Sequence, residues 1–355
     1  MLENGSVHAP VPESAAFAGA SAAAFEEADL ALIDALQTDP RAPWSRVGPA
    51  VGIDATTAAR RWARLEKAGL AWVTAYAGPT TATVAYMEVT CTPGELEELT
   101  AGLVRLPWVF SAEHVVGDYD LLLSVAAPDL PALGRRVSDD LGRLPGVRGT
   151  RTRLSMRLYQ EGSGWKVRAL DRAGRARLST AGPGPGAPSR PFRPRDEVDL
   201  ALLRELGANG RAGYAELAAA VGVGVGESTV RRRLARELRD REILLRCDLA
   251  QQLAGWPALA TYRATVPHGE LDRTGSALAR LPQMRLCTSV TGSCNLLFQV
   301  WLRDLDGMAT LEAALDERFP ALRVEDRTVT LRTVKRMGRV LDDRGRATGY
   351  VPVGF

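Results

Sequence analysis

Gly52-Ile53-Asp54-Ala55-Thr56-Thr57-Ala58-Ala59-Arg60-Arg61-Trp62-Ala63-Arg64-Leu65-Glu66-Lys67-Ala68-Gly69 is the stretch on which the fold turns. Asp54 can accept hydrogen bonds from the free N–H groups of a first helical turn, and Gly69 can end the helix, so a helix is expected over 55–67. Upstream, Asp29, Leu30, Leu32, Ile33 and Leu36 follow helical spacing and stop at Asp39-Pro40. A short segment from Trp44 to Val51 comes next and closes at Gly52. Three short helices with a tight glycine turn before the third read as a helix-turn-helix head over residues 25–76.

The head is written twice. Asp29-Leu30-Ala31-Leu32 returns 170 residues on as Asp199-Leu200-Ala201-Leu202, and Arg60-Arg61 returns 172 on as Arg232-Arg233. A second head is therefore expected over 196–248, with helices at 198–206, 214–221 and 227–241. Gly117-Asp118-Tyr119-Asp120-Leu121 recurs loosely as Gly292-Ser293-Cys294-Asn295-Leu296, and Leu170 to Ala176 as Leu341 to Ala347. Blocks in one order with slightly drifting offsets indicate a duplicated unit. Its period is far above the ~20–50 residues of a solenoid repeat, so each copy should fold as a module. Between the copies, Gly182-Pro183-Gly184-Pro185-Gly186-Ala187-Pro188 marks a linker over 177–195.

After each head comes a mixed segment, 82–165 and 255–340. In copy one the expected order is strand 83–90, helix 93–106, strands 109–116 and 120–126, helix 130–144, strand 148–159. Copy two repeats it from Ala258 to Val334. β-branched clusters, the stops Leu106-Pro107 and Leu281-Pro282, and Gly117 and Gly292 at the central turns carry this reading. The fold class is α+β: two winged helix-turn-helix heads and two ferredoxin-like βαββαβ domains arranged as a tandem duplication. Helices cover one sheet face. Both faces of the strands at 121–126 and 296–301 carry apolar residues, so the other face must find a cover, and the opposite copy is the obvious one.

Composition narrows the classes. The chain has 355 residues, 46% of them hydrophobic and 25% charged, as expected of a globular protein. Residues 1–24 are expected to be a disordered tail, without the basic start of a secretion signal. No apolar run is long enough for a bilayer. Cys91, Cys247, Cys287 and Cys294 lack zinc-site spacing and suit a reducing cytoplasm, so neither a metal nor a cofactor is expected. Lysine occurs only at Lys67, Lys166 and Lys335; the other basic residues are arginines. Abundant Ala and Gly point to a GC-rich genome as the main reason.

The third helices nonetheless place arginines in register. Arg60, Arg61 and Arg64 in copy one match a cluster at Arg231, Arg232, Arg233 and Arg236 in copy two. Small hydroxyls precede them, Thr56 and Thr57 or Ser228 and Thr229. Such side chains read base edges from a recognition helix while arginines reach phosphates, so double-stranded DNA is the expected partner. Interleaved acids such as Glu66 and Glu237 also allow a solvated face held by intrahelical ion pairs.

A helix-turn-helix with Thr57-Ala58-Ala59-Arg60-Arg61, joined to a βαββαβ unit with Gly117-Asp118-Tyr119-Asp120 at its central turn, resembles the Lrp/AsnC transcriptional regulators. The resemblance covers nearly all of residues 25–347 and implies a tandem fusion of two such proteins. It implies heads that bind DNA as a pair and tails that pair through their sheets and assemble further into oligomers. It also implies an amino acid or related amine bound near Gly117, Asp118, Tyr119 and Asp120. Copy two departs from the family at that turn, with Ser293, Cys294 and Asn295, and inserts residues in its helix turn at Val223-Gly224-Val225-Gly226. Copy one departs at Gly48-Pro49, where proline should bend the second helix. Two other outcomes stand beside this reading. Siroheme decarboxylases also resemble Lrp proteins and include two-copy fusions, but His114 alone of three histidines lies near the turn. The other is a ligand-sensing scaffold that no longer binds DNA.

Overall fold

In head one, α1 (Glu27–Thr38), α2 (Trp44–Ala50) and α3 (Ala55–Lys67) are followed by a strand, β1 (Ala71–Ala77). These elements belong to a computed structural model that describes residues 24–78, 81–178, 189–222 and 224–354. Apart from its last residue, the expected disordered tail over 1–24 lies outside the described residues, as does the middle of the linker. Head one buries Leu32, Ile33, Leu36, Val47, Trp62 and Leu65 in one core. Pro49 sits in the last turn of α2 without ending the helix early. The α2–α3 turn is tight, since a Cβ on Gly48 would lie 2.8 Å from the Ile53 carbonyl oxygen.

Tail one consists of β2 (Thr83–Cys91), α4 (Leu96–Val104), β3 (Val109–Val116), β4 (Leu121–Ala127), α5 (Leu130–Arg135) and β5 (Val147–Gln160). The helix α5 widens into a π turn over Arg136–Leu141. A further helix, α6 (Arg172–Leu178), packs on head one, where Arg177 donates to the Pro49 carbonyl at 2.9 Å. The first two residues assigned to the linker therefore end this helix. Head two repeats the plan with α7 (Glu197–Ala208), α8 (Tyr214–Val221), α9 (Glu227–Arg239) and β6 (Ile243–Leu249). Tail two comprises β7 (Ala258–Thr265), α10 (Leu271–Leu278), β8 (Met284–Val290), β9 (Leu296–Leu302), α11 (Asp306–Arg318) and β10 (Arg323–Arg336). A hairpin, β11 (Arg339–Leu341) and β12 (Ala347–Tyr350), extends it.

The two tails close into one antiparallel ring, β10-β3-β4-β2-β5-β8-β9-β7, with β7 returning to β10. Two seams join the copies. β5 pairs with β8 through Ser155 opposite Val290, and β10 pairs with β3 through Val329 opposite Val116. Closure removes the sheet edges that two separate tails would expose.

The shared interior is less apolar than the alternation implied. Tyr86, Val115, Tyr119, Leu122, Leu286, Val290 and Leu297 cluster there. Beside them lies a buried ionic group. Glu88 accepts from Arg153 at 3.0 Å and from Arg263 at 2.5 Å, and Arg263 also bonds Asp326. Gln299 donates to Glu113 at 2.8 Å. The copies thus cover one another with paired charges as well as apolar surface, which is tolerated inside because every charge has a partner.

One repeated block does not repeat in space. Leu170–Ala176 leads into α6, with Gly174 N–H donating to Asp171 at 2.6 Å. Leu341–Ala347 instead turns between β11 and β12, with Asp342 accepting from the backbones of Arg344 and Arg346. The aspartate starts a turn in both. The chain beyond the block decides the outcome: Thr348-Gly349-Tyr350 extends as a strand, whereas Arg177-Leu178 continues a helix.

Candidate nucleic-acid interface and effector site

The third helices start differently. In α3 the Asp54 carboxylate accepts from Thr57 N–H at 2.8 Å and from the Thr57 hydroxyl at 2.6 Å. These bonds hold the Asp54 carboxyl below its usual range. The Thr57 hydroxyl is thereby engaged, and Thr56 is exposed. Gly226 precedes α9 without a side-chain cap; Ser228 is exposed and Thr229 half-buried.

The arginines divide into two sets. Arg61 bonds Glu26 at 2.7 Å and Asp29 at 3.2 Å, and Arg64 bonds Asp29 at 2.5 Å. In head two, Arg233 bonds Asp196 at 2.6 Å and Asp199 at 2.7 Å, while Arg236 lies 3.6 Å from Asp199. Asp29 and Asp199 are buried, so these arginines tie the third helix to the first. The duplicated Asp-Leu-Ala-Leu and Arg-Arg blocks are thus the two ends of one contact. Arg231 is held by Glu227 at 2.9 Å and lies over the Tyr214 ring. Arg60 and Arg232 are exposed at matching places and have no ion-pair partner among the described residues. Of the expected phosphate ligands, these two are unengaged; Arg61, Arg64, Arg233 and Arg236 are structural ties, a role their identity as arginines did not disclose.

The heads are locked to each other. β1 and β6 form an antiparallel ribbon, with Thr74 opposite Arg246 at its centre. Arg41 donates to the carbonyls of Gly210 and Ala212 at 2.6 and 2.9 Å, and Arg211 reciprocates to Pro40 and Ala42 at 2.6 and 3.0 Å. Arg211 also lies 4.0 Å over the Trp44 ring.

The Gly117–Asp120 turn does not gather a ligand pocket from its own side chains. Gly117 has φ +152°, and a Cβ there would lie 2.7 Å from Thr328 of the other copy. Tyr119 is buried, meets the Thr328 hydroxyl at 3.2 Å and lies under Arg263. Asp120 accepts the Cys91 N–H at 2.7 Å, while Asp118 is exposed. The paired carboxylates expected to receive an ammonium group are therefore separated. Asn295 does in copy two what Asp120 does in copy one, bonding both backbone groups of Val266. His114 is buried against the Thr100 hydroxyl at 2.8 Å, and burial lowers its pKa.

A chamber of about 1590 Å³ opens elsewhere, between the β1–β6 ribbon, head two and one end of the ring. Tyr76, Tyr86, Arg246, Arg285, Leu158 and Leu286 are among its walls. Nothing in the spacing of these residues marks them as a group, because they come from five strands of both copies.

Known proteins share these parts. Residues 26–66 and 196–236 match the AsnC-type helix-turn-helix domain, and residues 84–165 the Lrp/AsnC ligand binding domain. The leucine-responsive regulatory protein of Salmonella typhimurium is 30% identical over 139 residues, covering 37% of this chain and 85% of that protein. The HTH-type transcriptional regulator FL11 of Pyrococcus horikoshii is 26% identical over 141 residues, covering 39% of this chain and 93% of that protein. The chain belongs to the Lrp/AsnC family of regulators, with its helix-turn-helix domain present twice. Its whole fold is similar to that of the siroheme decarboxylase NirDL, at 14% identity and a TM-score of 0.57, over 88% of this chain and 93% of that one.

Proposed function

We propose that the protein is a sequence-specific DNA-binding transcriptional regulator whose two heads engage one site as a fixed, unequal pair. Its tails take a small-molecule effector, and the name of the leucine-responsive relative favours an amino acid or a related compound. The observation that carries DNA binding is the pair of exposed arginines, Arg60 and Arg232, at the same place on α3 and α9 of heads that are locked together. Different flanking side chains on the two helices suit an asymmetric operator. The test is binding to the DNA upstream of the protein's own gene as salt is varied. Arg60→Ala and Arg232→Ala should each lower the slope of log K against log salt by about 0.9, one phosphate contact apiece. Unchanged slopes in both would remove these arginines from the interface.

The enzyme alternative draws on the fold shared with NirDL. Against it, no histidine is among the described residues of the chamber, and His114 is engaged by Thr100. A shifted siroheme absorbance spectrum on mixing, followed by turnover, would favour the enzyme instead.

A further inference from the structure

The chamber beneath the β1–β6 ribbon has a counterpart across the pseudo-two-fold axis, and that counterpart carries indoles. Trp165 meets Trp256 edge-on at 5.0 Å and Trp301 at 6.4 Å. The residues 175 positions before Trp256 and Trp301 are Thr81 and Ala126. Thr81 and Ala126 line the chamber. Strand register supports the equivalence: Ala126 sits opposite Val84, and Trp301 opposite Leu259, again 175 residues apart. One end of the ring thus carries indoles at two positions where the other carries Thr81 and Ala126. An open cleft of this size, with apolar walls and a few convergent polar groups, has the form of a small-molecule site.

The walls state what the occupant carries. Arg285 and Arg246 are only 7% and 5% exposed. Arg285 bonds Gln299 and lies 3.8 Å from Glu113, and Arg246 bonds Asp248 at 2.8 Å, so each guanidinium has more N–H groups than its one acid uses. Tyr86 is 4% exposed, and its hydroxyl has no hydrogen-bond partner among the described residues. The acids nearby are already engaged, Glu161 by Tyr76 and Ser163, Asp248 by Arg246, and Glu113 by Gln299. Burial, with like-charge repulsion from Arg246 opposing the pull of Glu113, keeps the Arg285 guanidinium below its usual pKa. An anion would relieve that burden. Leu154, Leu158 and Leu286 supply an apolar wall, and Leu203, Arg204 and Leu238 of head two form part of the rim.

We propose that this chamber, and not the Gly117–Asp120 turn, is the effector site. It takes one organic acid per chain, the acid group at Arg285, Arg246 and Tyr86 and an apolar body against the leucines. The inference rests on the reading of the chain as a ligand-modulated regulator. Because α7 and α9 contribute walls, occupancy is felt directly by the second recognition helix.

The probe is anilinonaphthalene sulfonate, an anion on an apolar body, titrated by fluorescence into the full chain without DNA. One saturable site per chain is expected. Its neutral relative phenylnaphthylamine should bind at least about tenfold more weakly, a difference of about 1.4 kcal/mol. Ala126→Trp, which installs an indole of the other end, should abolish binding. Tyr86→Phe and Arg285→Met should weaken it, and thermal melts would establish that each variant is folded. If Ala126→Trp does not fold, the Tyr86 and Arg285 variants decide. No saturable site, two equal sites, equal affinity for the neutral probe, or affinity unchanged in the folded variants would each overturn the proposal. DNA binding is measured separately on the same variants. Its failure with the probe site intact would count against the regulator reading alone, and the converse against the chamber alone.

Discussion

Arg60 and Arg61 are neighbours in sequence with different roles, and the same holds for Arg232 and Arg233. The second of each pair compensates a buried aspartate, Asp29 or Asp199. Removing it strands part of that charge, so Arg61→Ala and Arg233→Ala should each lower stability by about 1–3 kcal/mol in denaturant melts. Arg60→Ala and Arg232→Ala should leave the melts almost unchanged. Head two also carries a buried acid where head one has Leu65. Glu237 is fully buried with one carboxylate oxygen unpartnered, and burial followed by the nearby Asp199 raises its pKa to about 7. Between its ordinary value near 4.5 and about 7, the unfolded chain loses this proton and the folded chain keeps it. Stability should therefore fall as pH rises through that window and stay reduced above it. Glu237→Leu should raise the melting temperature more at pH 8 than at pH 5; an equal gain at both would show that the carboxyl does not titrate there. None of these partners was legible from the helices alone, because Asp29–Arg61 and Asp199–Arg233 are tertiary contacts. The repeated blocks showed that both ends mattered without showing that they touch.

Among the elements, local signals were faithful. Strands β3 and β9 run where β-branched and apolar clusters place them, and the expected βαββαβ order is present twice. Alternation could not show how strands of different copies pair. The seams β5–β8 and β10–β3 join segments more than a hundred residues apart, and the charges lining the ring interior look like surface residues in sequence. The side chains of the Gly117–Asp120 turn are dispersed for a related reason. A glycine, a phenol and two carboxylates lie close together in sequence, but in the turn between β3 and β4 Tyr119 is buried and Asp118 exposed. The clasp between heads was equally hidden, although Arg41 and Arg211 lie 170 residues apart in the repeat. Replacing both with alanine removes four hydrogen bonds to backbone carbonyls. Amides of β1 and β6 should then exchange with deuterium at least about tenfold faster, while those of β4 and β9 keep their protection. Uniform protection in the double variant would mean that the ribbon alone holds the heads.

Across the whole molecule, the ring makes the two copies one folding unit. Glu88 and Arg263 are equivalent positions, 175 residues apart, and they meet each other. Glu88→Arg and Arg263→Glu should each destabilise the chain by setting like charges together in its interior. The double exchange restores the pair but leaves like charges at Arg153 and Asp326, so its loss should be smaller than the sum of the two single losses without vanishing, as a double-mutant cycle in urea would measure. Losses that simply add would mean that the pair is not coupled. Cleavage between residues 178 and 189 should leave two fragments that elute together, since the ribbon and both seams survive it. The same pair bears on how the protein is made. Copy one leaves the ribosome first, and on the order of ten seconds of synthesis separate its completed β5 from the β8 that will cover it. During that interval its outer strands are open to any neighbouring nascent chain. Two copy-one halves that met on a polysome would bring Glu88 against Glu88 and lack the Arg263 that copy two supplies, so the half still being translated offers the better-matched partner.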